Sequence, residues 1–89
     1  MDLVNSPPST PLRVLHIEMP SDTDVIGRRL MELGFIEGAV VELRHRSPLF
    51  GDPIAVLVRG MVVALRKYEA QRIKVEIDVG PRNTQEKAS

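Results

Sequence analysis

A mainly β fold with one short α-helix, built as a small five-stranded antiparallel barrel that is partly closed, is the architecture this chain predicts. Three observations point to it. Five short segments carry strand patterning, only one segment has helical spacing, and glycine or proline separates them at short intervals. A sheet this small is better closed than left with long free edges.

The elements follow in order. Residues 1–11, MDLVNSPPSTP, hold three of the seven prolines and are expected to form a flexible N-terminal arm. "LRVLHIE" (12–18) reads as a first strand with mixed alternation, broken at Met19-Pro20-Ser21. "SDTDVIGRRLMELG" (21–34) reads as the helix. Ser21 or Asp22 would cap its start, Gly34 would take the position just past its end, and Ile26, Leu30 and Leu33 would share one face. Gly27 weakens that helix by up to about 1 kcal/mol.

"FIEGAVVELRHR" carries a turn at Glu37-Gly38 and then a strand, with Val41, Leu43 and His45 on one side and Glu42, Arg44 and Arg46 on the other. "PIAVLVRG" (53–60) places Ile54, Val56 and Val58 inward, and "MVVALRK" (61–67) places Met61, Val63 and Leu65 inward. Arg59-Gly60-Met61 is the tight connection between them, Gly60 supplying positive φ. "YEAQR" makes one helical turn. "IKVEIDV" (73–79) is the last strand, with Ile73, Val75, Ile77 and Val79 inward. The folded unit is thus residues 12–79, and GPRNTQEKAS (80–89) is a flexible tail.

Composition narrows the function. The 89 residues make one small domain. Twelve acidic side chains balance twelve basic ones, which argues against a general pull toward nucleic acid or anionic lipid. No cysteine is present, so thiolate metal sites and cysteine nucleophiles are excluded. No apolar run reaches the roughly 20 residues of a membrane span. The amino terminus lacks the pattern of a secretory signal, and a cytoplasmic chain without direct membrane insertion is expected, with recruitment to the inner face of the cell membrane by a membrane partner left open.

Catalytic groups are missing too. Ser47 lacks a nucleophile-elbow setting, Glu18, Asp52 and Glu69 are isolated, and neither phosphate-binding glycine motif occurs. No enzyme activity and no cofactor are expected. His16 and His45 are the candidates for a metal, but two histidines without an HxH or HExxH spacing fall short of the usual three or four ligands. A basic group at Arg44, Arg46, Arg59, Arg66 and Lys67 leaves a small nucleic-acid-binding barrel as an alternative. No aromatic sits among these residues to stack a base, and a solvated rim fits them better.

A further signal lies on the outer side of the strands. If Ile54, Val56, Val58, Val63 and Leu65 point inward, then Ala55, Leu57, Val62 and Ala64 point outward together. Either the helix covers that face or Leu57 and Val62 form an interaction surface, for a partner's peptide or for a second copy.

From Arg28 to Glu76 the order of features resembles the FeoA family of bacterial ferrous iron uptake. The matching pieces are the helix end "RLMELGF", the "EGAVVEL" strand, the "SPLFGDPI" corner, the "VRGMVVALRKYEA" hairpin with its helical turn, and "IKVE". The resemblance implies an SH3-like barrel without catalysis that acts with the FeoB membrane transporter and its cytosolic GTP-binding domain. The same fold occurs at the carboxy terminus of DtxR-type repressors, where it is proposed to contact a peptide; a free-standing peptide-binding regulatory domain is the corresponding alternative. The opening "VNSPPSTPLRVLHIE" departs from the family's usual start, so no contact is carried over there. Phe50, Leu57, Val62 and Arg59 are the expected partner-binding residues.

Overall fold

The computed structural model describes residues 1–80. Its elements are β1 (Leu12–Ile17), α1 (Val25–Leu33), β2 (Val40–Arg46), β3 (Ile54–Val58), β4 (Met61–Leu65), α2 (Lys67–Ala70) and β5 (Ile73–Ile77). The strands form one antiparallel sheet in the order β4-β3-β2-β1-β5. Among the described residues no pairing joins β4 to β5, so the architecture is a five-stranded antiparallel sheet with two short helices. Barrel closure is not in its hydrogen bonding.

The core is the predicted aliphatic one. Leu12, Val14, Val41, Leu43, Ile54, Val56, Val58, Leu65, Ile73 and Val75 are buried, and Leu30 of α1 and the following Phe35 join the same cluster. Burial at about 25 cal/mol per Å² of apolar surface is the main stabilising term for such a sheet. The helix therefore contributes Leu30 to the core on the inner face of the sheet.

The expected arm at 1–11 is instead part of the fold. Leu3 is fully buried, Val4 and Ser6 are buried, and Asp2 bridges to Lys74 beside β5. The Leu3 amide donates to the Ile73 carbonyl at 3.0 Å, and the Val75 amide donates to Met1 at 2.9 Å. Composition misled here because the segment's prolines, Pro7, Pro8 and Pro11, all follow the two apolar residues that do the packing. Residues 1–3 thus cover the outer edge of β5, the liability of any terminal strand. Of the expected tail at 80–89, all but Gly80 lies outside the described residues.

α1 starts later than expected. Its cap is Asp24, whose Oδ1 accepts from the Gly27 amide at 3.3 Å, and not Ser21 or Asp22. Asp24 is chosen because its other carboxylate oxygen pairs with Arg72, just before β5. Gly34 ends the helix at φ 118°, as expected, with its amide bonded to the Met31 carbonyl at 3.0 Å.

Two β-bulges reset the alternation. In β2, Leu43 faces Val56 but His45 faces Ala55, so an extra residue is accommodated between them. The phase flips, and His45 leaves the inner side for the exposed one. Arg46 then faces Ile54, and its guanidinium donates to the carbonyls of Val4 and Ser6 at 2.8 and 3.1 Å. In β1, Val14 faces Val75 but His16 faces Lys74, which turns His16 outward in the same way. Ile77 and Met61 also depart from their expected inward places. Each sits at a strand end, and both are exposed, as is Val79 beyond the last strand.

Candidate interaction site

β3 and β4 pair without interruption, so side chains directly opposite each other share a face. Leu57 faces Val62 and Ala55 faces Ala64 across this ladder. Their inward neighbours Val56, Val58 and Leu65 fill the core that α1 closes, which leaves the outer face without a covering element among the described residues. Leu57 is half-buried, and Val62 is 60% exposed. On β2, Glu42 stands opposite Leu57 and pairs with Arg44 at 3.5 Å, giving the apolar strip a charged border. β4 is the last strand of the sheet on this side, so its backbone edge, unpaired among the described residues, lies next to the strip.

Arg59 and Gly60 join the two strands with φ of 53° and 77°. Positive φ at both central residues is the hairpin geometry that follows the strands' own twist. Arg59 has a structural task besides its exposure. A Cβ placed on Gly34 would fall 2.4 Å from the Arg59 Cδ, so the arginine stem lies over the end of α1.

The corner between β2 and β3 is tightly bonded. The Ser47 amide donates to the Pro53 carbonyl at 3.0 Å, the Gly51 amide to the Ser47 carbonyl at 2.9 Å, and the Leu49 amide to Ser47 Oγ at 3.2 Å. Phe50 and Gly51 both take positive φ, 64° and 70°. Asp52, isolated in sequence, is partnered in space: its Oδ1 accepts from the Lys67 amide at 3.1 Å and lies 3.8 Å from Arg66. It thus caps the first turn of α2 and fastens the corner to it. Lys67 Nζ donates to the Phe50 carbonyl at 3.3 Å. The result is a braced projection with Phe50 90% and Leu49 70% exposed.

The two histidines are far apart. Leu12 pairs with Val41, and His16 and His45 each lie four residues further along antiparallel strands, in opposite directions. At about 3.3 Å per residue those eight residues amount to roughly 26 Å along the strands, too far for a shared ion. They also line different grooves, His16 with Leu15 and Phe35, His45 with Pro48 and Ala64. Among the described residues no group of three or more His, Asp and Glu side chains is placed to hold a metal. The double substitution His16→Ala, His45→Ala is accordingly expected to leave ferrous iron content, measured after equilibrium dialysis, unchanged. A clear drop would restore the histidines as ligands.

One groove went unread in the sequence. Met19, Met31 and Ile36 line a depression of about 470 Å³ beside α1, rimmed by Asp22, Arg28 and Glu32. The available signal was Gly27. A Cβ there would fall 2.9 Å from Met19 Cγ, so the glycine that weakens the helix admits Met19 against it. Among the described residues no helix is long and apolar enough to cross a membrane.

Comparison with known proteins closes the question of family. No curated protein matches the chain. Among solved structures, Stenotrophomonas maltophilia FeoA is 37% identical, with a TM-score of 0.76 over 85% of this chain and 89% of that one. It was crystallised with zinc and is described as an SH3 domain protein proposed to be a bacterial ferrous iron transport activating factor. FeoA from Chlorobium tepidum is 32% identical, with a TM-score of 0.75 over 92% of this chain and 74% of that one. IdeR of T. acidophilum is 26% identical, with a TM-score of 0.69; the match covers 88% of this chain and 34% of that chain. The FeoA domain model matches residues 1–77, including the amino-terminal residues that the structure places in the core. Mainly β, antiparallel and SH3-like, this chain belongs to the FeoA family, which is associated with ferrous iron transport.

Proposed function

We propose that the chain is a non-catalytic accessory factor of ferrous iron uptake that binds the cytosolic part of a FeoB-type transporter. The contact surface is the outer face of β3 and β4, with Leu57 and Val62 at its centre and Arg59 at the hairpin end. The observation that carries this reading is the outward Leu57–Val62 pair beside an edge strand, with Val62 exposed and Leu57 half-buried. A partner can add an extended segment to the β4 edge through main-chain hydrogen bonds and set side chains on the apolar strip. The family supplies the context of iron transport.

The test is Val62→Glu. The residue is exposed, so the fold tolerates it, but a carboxylate at the centre of an apolar contact must be desolvated on binding. A loss of about 2 kcal/mol, roughly thirtyfold in Kd, is expected for the transporter's cytosolic domain in isothermal titration calorimetry. An affinity within twofold of the parent would remove this face from the interface. A second copy of the chain is the competing occupant. Light scattering separates the two: a parent mass of two copies that Val62→Glu halves would assign the face to self-association.

A further inference from the structure

The Leu49–Phe50 projection carries more than a protein contact requires. Two large exposed apolar side chains, neighbours in sequence, stand on a corner whose backbone is closed by four hydrogen bonds among residues 47–53. They are presented, not merely left over. At the base of the projection stand two cations. Lys67 Nζ binds the Phe50 carbonyl, and Arg66 lies beside Asp52. The Arg46 stem runs past Gly51, where an added Cβ would lie 3.8 Å from its Cδ and 3.9 Å from Lys67 Nζ, but its guanidinium is turned to the Val4 and Ser6 carbonyls. Asp52 is the one carboxylate in the corner, and its Oδ1 is engaged with α2.

We propose that the Leu49–Phe50 tip and its basic collar seat this chain on an anionic bilayer surface. Apolar side chains that dip below the headgroups, with lysine and arginine held at headgroup level, are the signature of an interfacial contact. A bilayer is favoured over an acidic protein surface because the tip is convex. The groove beside the corner, lined by His45, Pro48 and Ala64, does not include Leu49 or Phe50, and lipid receives a projecting apolar pair at any rotation about its axis. The zero net charge of the chain is no obstacle, since anionic headgroups act within a Debye length of the collar. The expectation of no membrane insertion is thereby narrowed: among the described residues no helix is long and apolar enough to span, but two side chains enter the interface. This inference stands on the corner alone and does not depend on the transporter reading. The two meet in a simple way, as a chain held on the bilayer is held where an integral membrane partner lies.

The chain has no tryptophan, so Phe50→Trp places a single reporter at the tip. Vesicles of phosphatidylcholine with phosphatidylglycerol are expected to shift its emission to the blue and to carry the protein down on sedimentation at low salt. Pure phosphatidylcholine vesicles should do neither. Adding Arg66→Glu and Lys67→Glu should lower partitioning at least about tenfold, because each basic residue near an anionic surface contributes favourably and its reversal is repulsive. A blue shift with the transporter's soluble cytosolic domain, and none with vesicles, would assign the tip to a protein and overturn the proposal. So would equal binding to neutral and anionic vesicles, or no binding to either.

Discussion

Replacing Leu3 by alanine is expected to destabilise this domain by about 3 kcal/mol, a large share of the 5–15 kcal/mol typical of a folded domain. Leu3 is fully buried in the cluster formed by Leu12, Leu43, Ile73 and Val75. Its backbone is tied to β5 through the Ile73 carbonyl, so the segment cannot collapse into the space left behind. Both the lost transfer energy and the residual cavity therefore count. In a domain of this size the melting temperature should fall by roughly 12–24 °C. Urea denaturation monitored by circular dichroism gives the same quantity as a shifted midpoint with unchanged slope. Asn5→Ala, at an exposed position in the same segment, is the control. A Leu3→Ala effect no larger than that of a surface substitution, about 0.5 kcal/mol, would mean that the segment is an arm after all.

The second large effect is expected at Asp24. One carboxylate oxygen accepts the Gly27 amide and starts α1, and the other pairs with Arg72 in the turn before β5. Both side chains are largely buried. Asp24→Ala removes a helix cap, worth about 1 kcal/mol, and strands a mostly buried guanidinium, so a loss of about 3 kcal/mol is expected. Asp24→Asn keeps the capping oxygen and removes the charge. It should cost less than the alanine variant, and the difference apportions the two roles. Equal stability of Asp24→Ala and the parent in the same urea titration would show that neither contact matters.

Much of this was legible in the sequence, and the failures have physical causes. Uninterrupted alternation at Ile54–Val58 and Ile73–Val75 fixed which side chains face the core, because nothing in those stretches shifts the strand phase. His16 and His45 escaped the same reasoning. A bulge in each strand inserts one residue, and period two carries no mark of where the partner strand skips. Asp24 was passed over for Ser21 and Asp22 because its advantage comes from Arg72, 48 residues away. Asp52 looked isolated for the same reason, its partners being Arg66 and Lys67 at the start of α2. The outer Leu57–Val62 pair was legible, since pairing across a tight hairpin follows from the turn itself. The Met19–Met31 groove was not, as it depends on how the chain after β1 crosses α1.

The most direct test of the proposed role is a titration of isotope-labelled protein with the cytosolic domain of the FeoB-type transporter, followed by nuclear magnetic resonance. Chemical-shift changes and line broadening are expected on β4, at Leu57 and Val62, and at the Arg59–Gly60 turn, with the far edge at β5 and residues 1–3 unaffected. A spectrum unchanged at saturating concentration of that domain would contradict the account, as would changes confined to β5 and the amino-terminal residues.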